Sequence, residues 1–163
     1  MIYILTSTQT ILKADVRPQE SKVGDPVAKG LLSLKLKQQL TAESFNEQEG
    51  YLETAAIAAY VSLSGLDQRQ RYRASANLVS MQNETFNFTQ GSSSSGLGYA
   101  LAVFDAWWRL VLQKPGGFEY PIFATGEVLT SGQVNPISHL SDKIRSTCEF
   151  VNVNKQEISQ FYL

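Results

Sequence analysis

The chain has 163 residues, 43% hydrophobic and 18% charged, a composition that suits a folded domain with its own core and excludes a disordered segment. Its formal net charge of −1 gives no electrostatic ground for nucleic acid or an acidic membrane surface as partner. A single cysteine excludes an internal disulfide framework and a cysteine-based zinc site, and no apolar run approaches the roughly 20 residues that a membrane span needs.

Met1 to Thr8 is rich in β-formers and lacks a basic leader, so it reads as a strand opening a sheet and not as a signal peptide. The chain accordingly reads as cytoplasmic, and the Asn-x-Thr sequons at Asn83 and Asn87 are expected to go unmodified. Lys13 to Lys29 carries Pro18, Gly24 and Pro26 among polar residues and reads as a long loop. Leu32-Ser-Leu-Lys-Leu-Lys alternates apolar and polar residues, the mark of a half-buried strand.

From Glu43 to Ser64 the period changes. Tyr51, Leu52, Ala55, Ala56, Ala59 and Tyr60 fall at helical spacing, and Gly65 closes the segment as a C-cap. Arg69, Arg71 and Arg73 make a short basic group expected to be a solvated face. Leu78 to Met81 and Thr85 to Gln90 read as strands. Gly91 to Gly96 is a Gly/Ser loop feeding a second helix, with Leu97, Ala100, Leu101, Phe104, Trp108 and Val111 as its apolar stripe. The adjacent Trp107 and Trp108 are not expected to face the same core. Pro115-Gly116-Gly117 stops this helix.

Two extended runs follow, Tyr120 to Ala124 and Glu127 to Ile137, the second broken near Gly132. Ser138 to Ser146 begins a third helix, Glu149 to Val153 reads as a strand with Cys148 buried beside it, and Gln156 to Tyr162 as a short tail helix. This order is α+β, a single domain over 1–163 in which helices cover one face of a mixed sheet.

A strand, a Gly/Ser loop and a helix in succession offer backbone N–H groups and the positive end of a helix dipole to an anion or an oxyanion. Here the loop holds Ser92, Ser93, Ser94 and Ser95, and composition alone does not choose a nucleophile among them. A serine needs a base. His139, the only histidine, is available but sits at a helix start, where capping or surface exposure is its ordinary role. The other solution is a lysine kept neutral by desolvation, and Lys143, three residues after Leu140 on a helix, lies near an apolar contact.

Two segments read together resemble the proteolytic domain of the Lon protease family. That family carries Asp-Gly-Pro-Ser-Ala-Gly at a helix start. Further on come Thr-Gly-Glu, a Gly about five residues later, Pro-Ile-Gly-Gly-Leu, and a catalytic Lys three residues past that Leu. This sequence has Gly91-Ser92-Ser93-Ser94-Ser95-Gly96. It then runs Thr125-Gly126-Glu127, Gly132, Pro136-Ile137-Ser138-His139-Leu140 and Lys143, in the same order and spacing. The resemblance is clear over 90–153 and loose before it. Gly91-Ser92-Ser93 replaces Asp-Gly-Pro, and Ser138-His139 replaces Gly-Gly.

The resemblance implies a Lon proteolytic-domain-like fold and a serine peptidase, with Ser94 as nucleophile and Lys143 as general base. Thr125 would orient the lysine, and Ser93 and Ser95 would flank the oxyanion site. The expected partner is an unfolded or flexible polypeptide substrate, with a homo-oligomer in view because the family commonly forms rings. No phosphate loop of the type Gly-x-x-x-x-Gly-Lys-Ser/Thr occurs. The activity is therefore expected to be ATP-independent, or to need a separate ATPase or the remainder of a longer protein. No metal or organic cofactor is indicated. Two alternatives stand beside this reading. One is a catalytically inactive Lon-like binding module. The other is a small-molecule kinase of the GHMP type, whose phosphate loop uses the residue types of Gly91 to Gly98 in reversed order.

Overall fold

A computed structural model describes residues 1–5, 11–20, 31–32, 42–62, 72–81, 92–110, 113–114 and 117–163 of the chain. The β-rich N-terminus forms β1 (Ile2–Leu5), as its composition predicts. β1 lies inside a five-stranded mixed sheet with β2 (Ile11–Glu20), β3 (Leu31–Leu32), β4 (Tyr72–Ser80) and β5 (Ile122–Ala124), in the order β3-β4-β2-β1-β5. β1 runs antiparallel to β2 and parallel to β5, while β4 runs antiparallel to β2 and parallel to β3. A separate hairpin joins β6 (Glu127–Val128) to β7 (Val134–Asn135).

The long loop expected from Lys13 onward is instead strand through Glu20. Pro18 points to a loop because proline normally interrupts a ladder. Here β1 covers only Ile11 to Ala14, so among the described strands Pro18 has β4 alone beside it, and on an edge its missing N–H is tolerated. β4 likewise begins at Tyr72, earlier than expected. The predicted strand at Thr85 to Gln90 lies outside the described residues. So do the rest of the Leu32 run, Arg69 and Arg71, both sequons, Gly91 and Val111.

Side chains of a strand alternate between faces, and here both faces are apolar. Ile2 and Ile4 of β1, Leu12 and Val16 of β2, and Ile122 and Ala124 of β5 point into one cluster. Tyr3 and Leu5, Ile11, and Phe123 point into another. The first cluster is closed by α1 (Ala42–Ser62) and α2 (Gly96–Leu110), whose small residues Ala55, Ala56, Ala59, Ala102 and Ala106 pack in a common core around Leu52. The second is closed by α3 (Leu140–Val153) and the tail through Phe150, Val151, Ile158 and Phe161. The helices therefore cover both faces of the sheet and not one, which corrects the layer count expected from sequence.

Three further corrections concern α2, α3 and the tail. The buried face of α2 is Gly98, Tyr99, Ala102, Val103, Ala106 and Trp107, while Leu97, Ala100, Leu101 and Phe104 are its half-buried flanks. α2 is apolar around most of its circumference, so several stripes fit its sequence equally well. Trp108 is 36% exposed against 5% for Trp107, so the two indoles do part company. Glu149 to Val153 continues α3 and forms no strand, and Cys148 is exposed. Past Val153, Asn154 closes the helix on the carbonyls of Phe150 and Val151. No tail helix follows. Ile158 is buried, and Tyr162 bridges to Ile122 on the outer edge of β5 through Phe123 N–H and its own N–H, at 2.9 Å each.

Candidate active site

The serine run folds as a 3-10 turn, Ser92–Ser95, that leads directly into α2. Gly96 is the residue that lets this turn lie against β6, because a Cβ there would stand 3.0 Å from the backbone nitrogen of Val128. The turn is tied to the segment after β5 by three bonds. Gly126 N–H donates to the Ser94 carbonyl at 2.8 Å, Leu97 N–H to the Gly126 carbonyl at 2.9 Å, and the Thr125 hydroxyl lies 3.3 Å from the Ser94 carbonyl. The same hydroxyl lies 3.3 Å from the carbonyl of Leu5. Since Leu97 N–H and Gly126 N–H are already engaged, an oxyanion at this turn would have to use other donors.

Lys143 reaches this cluster from the opposite layer. It lies one turn into α3, and its residue is 2% exposed. Its Nζ donates to Thr125 Oγ1 at 3.0 Å. Among the described residues no carboxylate pairs with it; Asp142, on the same helix, lies against Arg145 at 3.6 Å instead. Withdrawal from water therefore acts on the ammonium without a compensating charge and lowers its pKa below the ordinary lysine value.

Ser94 is 4% exposed, and its Oγ is buried with no hydrogen-bond partner among the described residues. Thr125 thus stands between Lys143 Nζ and the Ser94 carbonyl, while Ser94 Oγ and Lys143 Nζ form no hydrogen bond to each other. Ser93 is half-buried, and Ser95 is fully buried with its hydroxyl 3.4 Å from Gln48 Oε1. His139 is exposed, its ring away from the cluster and 3.8 Å from Asp142. It stands at the N-cap of α3 in the left-handed region, φ 57°, with no side-chain cap bond. Surface placement holds for it, and capping does not.

The Leu140 contact inferred for Lys143 takes a different form. Leu140 is 50% exposed and, with Ile144, Leu97 and Leu101, lines a cavity of about 450 Å³ that runs past Thr125 along the edge of β5. Sequence reading missed this cavity because its walls come from α2, α3 and β5, far apart in the chain. It also missed Gln48, whose buried amide accepts the Tyr99 hydroxyl at 3.1 Å. A glutamine among Glu47 and Glu49 reads as a solvated helix position, and only the packing of α1 on α2 reveals otherwise.

Among the described residues no helix is long and apolar enough to cross a membrane, and no group of three His, Cys, Asp or Glu side chains converges as a metal site would require. No protein-family model matches the sequence, and no curated protein aligns with it significantly.

Proposed function

We propose that the chain is a Lon-like serine peptidase in which Ser94 attacks the scissile carbonyl and Lys143 serves as general base. The observation that carries the proposal is Lys143 itself. It is a lysine 2% exposed, without a carboxylate partner among the described residues, and hydrogen-bonded to the threonine whose neighbour Gly126 holds the carbonyl of Ser94. A solvated surface lysine has none of these properties, and a structural buried lysine ordinarily has an anion beside it.

Backbone geometry supports the resemblance at two positions of the motif. Gly132 turns the β6–β7 hairpin at φ 86°, where a glycine is favoured. His139 adopts φ 57°, a left-handed backbone that favours glycine, at the place where the family carries one.

The chemistry runs in two half-reactions. Lys143, neutral at the start, moves Nζ from Thr125 toward Ser94 and takes the Oγ proton. Oγ bonds to the substrate carbonyl carbon, and the resulting oxyanion is held by N–H groups of the turn, helped by the N-terminus of α2. Each such preorganised donor is worth about 3 kcal/mol in the transition state. Lys143 returns its proton to the leaving amine, the C–N bond breaks, and an acyl-Ser94 ester remains. Lys143 then takes a proton from water, whose oxygen attacks the ester carbonyl; the acyl–Oγ bond breaks and Lys143 returns the proton to Ser94 Oγ. The cavity beside Thr125, with its leucine and isoleucine walls, would take an apolar side chain of the polypeptide.

The test is cleavage of reduced casein followed by mass spectrometry, with wild type and Ser94→Ala side by side. Fragments from wild type alone are expected; equal cleavage by Ser94→Ala would remove the assignment. One observation favours the second reading, an inactive Lon-like binding module: Ser94 Oγ is buried and makes no bond to Lys143. Absence of fragments from both proteins would favour that module.

A further inference from the structure

The reaction above engages one side of the Ser92–Ser95 turn, the side tied to Thr125 and Gly126. The other side is held by α1. Gln48, fully buried at 0% exposure, accepts with a single Oε1 from Ser95 Oγ at 3.4 Å and from Tyr99 OH at 3.1 Å. Ser95 and Tyr99 are themselves 0% exposed, and burial drives the Tyr99 hydroxyl far above the ordinary tyrosine range, so it stays a neutral donor. Phe45, Leu52 and Ala55, at helical spacing from Gln48 on α1, belong to the same apolar core as Tyr99. A leucine at position 48 would fill such a place without the desolvation cost of an amide. The amide instead links α1 to the residue that follows the nucleophile and to the first turn of α2.

We propose that Gln48 is a positioning residue for Ser94. Its amide fixes the Ser95 side of the turn while Gly126 N–H and the Thr125 hydroxyl fix the Ser94 carbonyl, so that the peptide unit between Ser94 and Ser95 is held from both ends. Held in this way, Ser94 Oγ keeps its direction without a hydrogen bond of its own to any described residue. The catalytic part of this inference rests on the Ser94–Lys143 reading; the structural part does not.

Gln48→Met keeps the side-chain length and removes the acceptor. Adding Tyr99→Phe removes the hydroxyl that has lost its Gln48 acceptor and should restore part of the lost thermal stability. The full chain is treated with a fluorophosphonate, which bonds to Ser94 Oγ with loss of fluoride and transfer of the Oγ proton to the base, and the labelling rate is read by intact mass. Labelling is expected to slow about tenfold or more in Gln48→Met. It should stay slow in Gln48→Met/Tyr99→Phe as Tm recovers, with KM for a peptide substrate within about twofold of wild type. Labelling that recovers together with Tm overturns the proposal, because the network would then serve stability alone. If wild type is not labelled, the Ser94 reading fails, and hydrogen exchange decides the tether independently. Faster exchange over 92–99 in Gln48→Met, with 122–128 unaltered, supports it; unaltered exchange over 92–99 overturns it.

Discussion

A lysine withdrawn from water carries its charge at a cost, and that cost reads out as stability. Lys143 is protonated easily in the unfolded chain and reluctantly in the fold, because burial lowers its folded pKa. Between the folded and unfolded values the unfolded state binds more protons, so stability rises with pH across that window. The penalty is complete below the folded pKa and gone above the ordinary lysine value. Lys143→Met should therefore melt higher than wild type near neutrality, by a few degrees, since about 1 kcal/mol moves a domain of this size roughly 2–4 °C. The advantage should shrink as pH rises toward the ordinary lysine range. Thermal melts at about pH 6, 8 and 10 measure it; a variant no more stable than wild type at any of them would mean that the ammonium is well solvated. The same shift sets the sign for catalysis: turnover should climb with pH through the lowered Lys143 pKa, as the neutral base fills. The residue scale was also where sequence was most informative, because the resemblance to the Lon family pointed to Ser94, Thr125 and Lys143, and the fold brings all three to one place.

The elements that carry these residues were less legible. The sequence suggests a strand at Glu149 to Val153, after a helix begun at Ser138 to Ser146, because Phe150, Val151 and Val153 are strand formers. Its inner face in fact runs Lys143, Thr147, Phe150, Val151, a sound helical spacing that is hard to see when its first two members are polar. The fully buried Thr147 donates to the Lys143 carbonyl at 2.9 Å, so its hydroxyl is satisfied within the helix. α2 posed the opposite difficulty, having too many apolar residues to show which face lies inward. Its packing on β1 gives a sharp test. A Cβ at Gly98 would stand 2.6 Å from Ile4 Cγ1, so Gly98→Ala should destabilise by about 1–3 kcal/mol despite alanine's better helix propensity. Gly50 of α1 is exposed and has nothing within 4 Å of an added Cβ. Gly50→Ala should therefore stabilise by up to about 1 kcal/mol. Urea melts of the two variants should move in opposite directions. A common sign would show that propensity alone, or strain alone, governs both helices.

At the scale of the whole molecule, the two proposed catalytic groups belong to different layers. Ser94 leads into α2, on the face of the sheet shared with α1, and Lys143 sits on α3, on the other face. They meet through Thr125, which follows the last residue of β5. This arrangement was not legible from sequence, since no local pattern says which side of a sheet a helix covers, and the apolar residues of β1 fit either side. It does make the layers separable by experiment. α3 is docked by Phe150, whose ring lies 5.7 Å from that of Tyr3 and 6.0 Å from that of Phe123. Phe150→Ala should cost about 2–3 kcal/mol, less than a fully buried phenylalanine because Phe150 is half-exposed, and should loosen the layer that buries Lys143. A better-solvated Lys143 regains its ordinary basicity, so the rise of activity with pH should move to higher pH. Leu52→Ala, in the core of the other layer, should cost about 2–5 kcal/mol and leave that midpoint in place. pH–rate profiles of the two variants, taken at a temperature where both remain folded, decide the matter. A midpoint displaced by Phe150→Ala alone assigns the desolvation of the base to the α3 layer. Midpoints that move together would mean that the sheet transmits the loss of either core to the site, and the two layers would then act as one.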